Sequence, residues 1–266
     1  MAAPENIHRV ACEGRGIAAA DGVTAPSMEV LERVREFYDI RLTNARVIPN
    51  PISTKTSDGL WCQADASPET ILFVGRFDRL KGADVVIAAF NELARQRKQL
   101  KLSFCGPDAR FTDDSGQHVM FEEYVSRVIT DPEIRARVTY FGRQSPEELT
   151  EHRRGAAVIV MASRWEAFGY VVLEAMSCGA PFVGTNAGGV PELIQHSKNG
   201  LLAEPGDAAS LAEQIKCLLD APELAKRLAA QAAKDARERY SPQFVAQSTL
   251  DYYHEVFSRY RKKNGR

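Results

Sequence analysis

Long hydrophobic runs are missing from this chain. No apolar stretch approaches the roughly 20 residues that a membrane-crossing helix needs. The opening residues, MAAPENIHRV, hold no apolar core of the secretory-leader kind. Cysteine is scarce: Cys12, Cys62, Cys105, Cys178 and Cys217 are odd in number, scattered, and include no C-x-x-C pair. That spacing leaves out the zinc and redox motifs, and Cys105, beside apolar residues, reads as a buried thiol. A charge of one sign is lacking too. There are 34 Lys and Arg against 35 Asp and Glu, a formal net charge of −1, so no general field draws the chain to nucleic acid. The five histidines (His8, His118, His152, His196, His254) stand apart, without metal-ligand spacing. No internal repeat or low-complexity tract is present. The expectation is a cytoplasmic, reduced protein.

What remains is 266 residues, 44% hydrophobic, enough for one large domain or a domain with part of another. Residues 5–20 read as a helix, 22–25 as a short strand, and 45–48 as another, ended by Pro49-Asn50-Pro51. Ser27 is placed to cap a helix through Tyr38. Two strands and two helices bury little surface alone, so residues 1–51 look like the end of a domain. Residues 52–69, polar and rich in Ser, Thr, Asp and Pro, read as a linker.

A regular alternation follows over 70–240. The predicted strands are Ile71–Val74, Leu102–Cys105, Val138–Phe141, Ala156–Ala162, Phe182-Val183 and Leu201-Leu202. Helices lie between them: one with Val85, Val86, Ala89, Phe90 and Leu93 on a face, others near 119–130, from Ser145, and over 168–178, 210–219 and 222–239. Ser145-Pro146-Glu147-Glu148 has the capping-box pattern. Alternating strands and helices argue for a doubly wound parallel α/β sheet covered on both faces. A last helix starts at Ser241-Pro242 and reaches about Tyr260, followed by a basic tail through 266. The expectation for that tail is solvation, with contact at the inner membrane surface as the alternative.

Two stretches carry chemistry. Residues 164–193, RWEAFGYVVLEAMSCGAPFVGTNAGGVPEL, place Glu166 in the loop after a strand and Glu174, eight positions on, inside the next helix. Gly179 suits the residue after that helix, and the Gly169 region aims backbone N–H groups at one point, as an anion site requires. The plainer reading of the pair is an ordinary βα unit with two solvated Glu. The second stretch, Gly75-Arg76-Phe77-Asp78-Arg79-Leu80-Lys81-Gly82, follows the first strand of the alternation. In a doubly wound sheet, ligands bind beyond the strands' carboxyl ends. Arg76 and Lys81 therefore sit at the rim of the expected crevice, where Arg can grip phosphate with two N–H bonds and Lys adds a point charge. The Walker spacing is absent, and a solvated basic loop is the plainer alternative. Asp113-Asp114 is a pair without a third ligand, more in keeping with solvation than with a metal.

Glu166, Glu174, Ala175-Met176, Gly179 and Gly188-Gly189-Val190-Pro191-Glu192 together resemble the signature of the retaining glycosyltransferases of family 4, of the glycogen-phosphorylase-like two-domain fold. The same family carries Gly-Arg and then Lys-Gly where Gly75-Arg76 and Lys81-Gly82 stand. The resemblance implies the C-terminal, Rossmann-like half of that fold. In it, 1–51 is a remnant of the N-terminal acceptor domain, 52–69 a linker, 70–240 the nucleotide-sugar donor-binding domain, and 241–266 a crossover helix and tail. It implies transfer of a hexose from a nucleoside diphosphate sugar to an acceptor hydroxyl, with retention, in glycan, lipid-linked saccharide or glycoconjugate biosynthesis.

By the same resemblance Gly75, Arg76 and Lys81 hold the diphosphate with the N–H groups of Phe168, Gly169, Tyr170 and Val171. Glu174 binds the ribose hydroxyls, Glu166 positions the sugar as the catalytic-side residue, and the backbone at Thr139 and Tyr140 meets the base. No metal and no cofactor are expected beyond the donor itself. The implied partners are a nucleotide sugar, an acceptor glycan or lipid-linked saccharide, and a missing N-terminal domain or partner chain. The Gly-rich acceptor-side loop and its histidine have no counterpart here. The alternatives are a non-catalytic nucleotide-sugar-binding module and another enzyme of this fold, an epimerase or a phosphorylase. A phosphorylase would need a lysine-held pyridoxal group, for which no motif is present.

Overall fold

The computed structural model describes residues 4–53, 60–62, 66–109, 111–113, 115–263 and 265. The first segment comprises α1 (Pro4–Ala19), β1 (Val23–Ala25), α2 (Met28–Tyr38) and β2 (Ala45–Val47). The alternation then runs β3 (Thr70–Val74), α3 (Ala83–Gln96), β4 (Lys101–Cys105), β5 (Phe111–Thr112), β6 (His118–Val119), α4 (Phe121–Val128), α5 (Pro132–Arg135) and β7 (Val138–Gly142). It continues with α6 (Pro146–Gly155), β8 (Val158–Val160), α7 (Tyr170–Cys178), β9 (Phe182–Thr185), α8 (Val190–Leu193) and β10 (Leu201–Ala203). Three helices close the chain: α9 (Ala208–Asp220), α10 (Pro222–Arg239) and α11 (Pro242–Lys263).

Six strands form one parallel sheet in the order β10-β9-β8-β3-β4-β7. Chain progression runs outward from β3 in one direction through β4 and β7, then returns to β8 and runs the other way. The reversal point lies between β3 and β8, beyond whose carboxyl ends doubly wound sheets bind their ligands. The doubly wound α/β class expected from the alternation is what forms.

The strands alternate side chains between two cores, as period-two pleating requires. Ile71, Phe73, Leu102, Phe104, Val158 and Val160 face one core with α3, α4 and α9; Leu72, Cys105, Ile159 and Met161 face the other with α7 and the end of α10. Local signals set the helix ends. Ser27 accepts from Val30 N, Ser145 and Glu148 complete a capping box, and Gly179 ends α7 at φ 68°.

Four short elements were not expected from the sequence: β5, β6, α5 and α8. The polar loop before α4 contains an antiparallel pairing, Phe111 with Val119 and Thr112 with His118. Phe111 is buried and stacks on Phe77 at 5.1 Å, so one aromatic anchors a turn that composition marks only as polar. Asp113 closes that turn by accepting from Ser115 N and Gln117 N. Its carboxyl is held below the usual range first by the Ser115 hydroxyl and then by these amides, against the cost of burial. Asp114 lies outside the described residues.

Of residues 52–69, part also lies outside them, but two described positions are anchored. Ile52 N donates to Tyr240 O at 2.8 Å, and Trp61 donates from its backbone to Cys178 O and from its indole to Ala156 O, both at 2.8 Å. β1 and β2 form a separate parallel pair. α11 covers it, with the Tyr252 hydroxyl donating to Asn44 O and accepting from Val23 N, and with Arg46 paired to Glu255.

Candidate functional site

The crevice between β3 and β8 is built from backbone that tolerates no Cβ. At Gly82, φ 70°, an added Cβ would overlap the carbonyl oxygen of Ala162, so the two loops touch there. Arg164 N donates to Leu80 O at 2.8 Å across the same gap, and the Arg164 guanidinium grips both Asp84 oxygens at 2.8 and 2.7 Å. The loop after β3 is thereby fixed to the loop after β8. Lys81, carried on the first, reaches Glu166, carried on the second, as an ion pair. Ser163 Oγ donates to the same Glu166 oxygen at 2.9 Å. The Glu166 side chain is 18% exposed, and its carboxylate is held from two sides. Arg76 is half-exposed and paired with Asp78 at 2.6 Å, while Asp78 Oδ1 accepts from Lys81 N.

Beyond Glu166 the chain turns through Phe168 and Gly169 into α7. Gly169 occupies the N-cap at φ 95° and no side chain caps the helix, so its first-turn N–H groups take no side-chain cap. Phe168 is buried in the second core, and Tyr170 is exposed at the helix start. Glu174 lies one turn in, its side chain 36% exposed, and pairs with Arg153 on α6.

A second turn supports Glu166 from beneath. Gly189 N donates to Glu166 O at 2.8 Å, and a Cβ on Gly188 would overlap that same oxygen. The structure thus joins Lys81 directly to Glu166, with Arg76 in the same loop as Lys81 and with Gly169, Tyr170, Val171 and Glu174 at and within the start of the helix that follows Glu166; Gly75 N–H bonds Cys105 O. Thr139 and Tyr140 are placed differently. Thr139 sits in mid-strand opposite Ser103, and the Tyr140 ring stacks on Phe121 at 4.4 Å within the first core. At the carboxyl end of β7 stand Phe141 and Gly142, with the Phe141 ring 4.4 Å from His152.

Sequence reasoning missed three groups here. Ser163 and Arg153 left no signal, because their importance rests on neighbours distant in the chain. Glu192 was visible as part of a motif, but its task was not: its carboxylate accepts from Met28 N and Glu29 N, capping α2. Ser27 Oγ donates to Ala167 O, the Trp165 indole donates to Glu29, and Arg33 lies 5.0 Å over the Trp165 ring. The first segment is therefore bolted to the loop that carries Glu166. Among the described residues no three His, Cys, Asp or Glu side chains group as a metal site, and no helix is long and apolar enough to cross a membrane.

A parallel sheet of this order, reversing between β3 and β8, defines a doubly wound, Rossmann-like α/β protein. The chain belongs to the family Glycosyl transferases group 1, which matches residues 63–235, well over half of its length. It is 28% identical over 98% of its length to a D-inositol 3-phosphate glycosyltransferase of Rhodococcus erythropolis, of which it covers 60%. It is 29% identical over 70% of its length to an N-acetyl-alpha-D-glucosaminyl L-malate synthase of Bacillus anthracis, of which it covers 46%. The chain thus spans about half the length of these relatives. Among solved structures, a sucrose-phosphate synthase of Thermosynechococcus elongatus superposes with a TM-score of 0.76 at 25% identity, over 97% of this chain and 64% of that one. HepE of Anabaena, solved in complex with UDP-glucose, superposes with a TM-score of 0.72 at 22% identity, over 96% of this chain and 70% of that one.

Proposed function

We propose that this chain carries the donor site of a family 4 glycosyltransferase that moves a hexose from a nucleoside diphosphate sugar to an acceptor hydroxyl with retention. The observation that supports it best is the Lys81–Glu166 pair, which joins the loop after β3 to the loop that leads into the uncapped α7 at the sheet's reversal point. A diphosphate leaving group gains negative charge as the sugar departs. Pre-set cations and N–H dipoles stabilise that charge without reorganising. Arg76 and the first turn of α7 are the natural partners of the phosphate oxygens. Lys81, paired with Glu166, turns toward the diphosphate when the sugar takes over the Glu166 oxygens. Glu166, braced by Ser163, orients the sugar rather than attacking it. Glu174 accepts from the ribose diol, whose two hydroxyls suit a carboxylate. On this reading no metal is called for. Residues 70–240 form the donor-binding domain, 1–51 belong to the acceptor-side domain, and α11 returns to pack against them.

A thermal-shift panel of UDP, GDP, ADP and their sugars tests the reading. A ligand at about 100 times its dissociation constant should stabilise the protein by about 2.7 kcal/mol. One base should stand out, and its sugar conjugate should lose that stabilisation on Glu166→Gln. No shift with any of the six families of ligand would remove the donor site from this crevice.

A further inference from the structure

Arg153 is the one basic side chain among the described residues that is sealed inside the protein, 5% exposed. It sits near the end of α6, where its Nη2 donates to Glu174 Oε2. Its Nε meets no hydrogen-bond partner among the described residues. The nearby thiols of Cys105 and Cys178 bring no countercharge. Burial raises both, with Cys105 pushed up to about 11, so they stay protonated beside the guanidinium.

Such an arrangement is a poor device for stability. Burying a guanidinium is costly, and a partner carboxylate that is partly solvated returns little of that cost. An apolar side chain of similar size would fill the place between α6 and α7 at least as well. What the pair does supply is orientation. Glu174 has three rotatable bonds, and the Arg153 Nη2–H that meets Oε2 selects among their arrangements. Arg153 engages Oε2 while the Glu174 side chain stays 36% exposed, so its carboxylate can still accept from a ligand.

We propose that Arg153 is a positioning residue of the donor site. By holding Oε2 of Glu174 it presents Oε1 to a ribose hydroxyl, and so sets the preference for a ribose over a sugar that lacks the diol. The inference rests on the reading of Glu174 as the ribose acceptor.

The experiment compares two probes by calorimetry. One is the nucleoside diphosphate selected from UDP, GDP and ADP by the thermal-shift panel. The other is its 2′,3′-dideoxy form. The natural chain should prefer the ribose form by about tenfold or more, the size of a charge-assisted hydrogen bond. Arg153→Met should bring that ratio to within about threefold while leaving the affinity for the dideoxy form unchanged, because the phosphate contacts are untouched. Arg153→Lys, which keeps the charge but not the planar fork, should fall between the two. In a Glu174→Gln background Arg153→Met should change the ratio no further.

A full ribose preference in Arg153→Met would overturn the proposal, and so would a parallel loss of affinity for both probes, the mark of a merely structural role. If Arg153→Met does not fold, Arg153→Lys decides: an unchanged ratio overturns the proposal and a reduced one upholds it. A natural chain that binds both probes equally would instead sink the ribose reading of Glu174, and this inference with it.

Discussion

The two faces of the six-stranded sheet are built from different materials. One is aromatic: Phe73, Phe77, Phe90, Phe104, Phe111 and Phe121 are buried together, with Tyr140 against them. The other is made with small residues where its helices touch it: Ala175, Cys178, Ala180, Ala232 and Ala236 line α7, its exit and α10. Large rings bury much area but leave the distance between layers loosely specified. Small residues bring backbones together, and their spacing is stiff because little can rearrange. At Gly184 an added Cβ would come within 2.5 Å of Ile194 Cδ1. The aromatic face keeps the domain folded. The small face sets α7 against β8, and thus places the start of α7, Glu166 and Glu174 relative to one another.

That division is open to attack at its strongest point. Phe104 sits at the centre of the rings, 4.5 Å from Phe73 and 4.7 Å from Phe121. Phe104→Ala should cost about 3–5 kcal/mol of stability through lost burial and a cavity. Among molecules still folded, affinity for the nucleoside diphosphate should stay as it was. Urea titration paired with calorimetry measures both. A variant that loses affinity as steeply as stability would show that the aromatic face also sets the site.

The opposite test is made at Gly188. Its φ is 60°, and an added Cβ overlaps Glu166 O. Gly188→Ala should cost about 1–2 kcal/mol in backbone strain, besides the cost of moving the Glu166 backbone off the new Cβ. It should also displace Glu166 and weaken the nucleotide sugar more than the free diphosphate. Equal weakening of both ligands would mean that the turn supports the whole crevice and not Glu166 in particular.

How much of this was visible in the chain beforehand follows from range. Periods of two and 3.6, caps at Ser27 and Ser145, and Gly179 after α7 are local, and they yielded the sheet class and nearly every element of the alternation. The meeting of Lys81 and Glu166 was legible because both lie in loops whose position the alternation dictates. The hidden parts depend on contacts far apart in sequence. Phe111 pins a hairpin through Phe77, Glu192 caps a helix more than 160 residues before it, and Arg153 is buried only because α7 lies over it. The Tyr140 ring turned inward for the same reason: on an edge strand, which face is covered is decided by α4, not by the strand's own pattern.

The carboxylates sharpen the comparison within the small face. Glu174→Gln removes the charge from the ribose acceptor and should cost about 1.5–3 kcal/mol of nucleotide affinity, tenfold or more, for free diphosphate and sugar conjugate alike. It also leaves Arg153 buried without a countercharge, so stability should fall by more than the roughly 0.5 kcal/mol usual for surface changes. Glu166→Gln should spare the free diphosphate and weaken only the conjugate. Calorimetry with both ligands separates the two roles, and unchanged affinities in Glu174→Gln would move the donor out of this crevice.

The smallest expected effect lies at the sheet's edge strand, on the α6 side. His152 packs 4.4 Å from the Phe141 ring, and its Nε2 lies 3.1 Å from Gln144 Oε1. Burial holds its imidazole below the usual histidine range, with Glu148 acting weakly in the opposite direction. The folded protein therefore favours the neutral ring, while the unfolded chain takes up a proton near the ordinary pKa of about 6.5. Stability from this group is complete above that pH and is lost as the pH falls through the window just below it. His152→Phe keeps a ring against Phe141 and removes the titration. Its urea midpoint should fall less than that of the natural chain between pH 7.5 and pH 5.5. An identical fall in both would assign the acid sensitivity to other groups and leave His152 as packing alone.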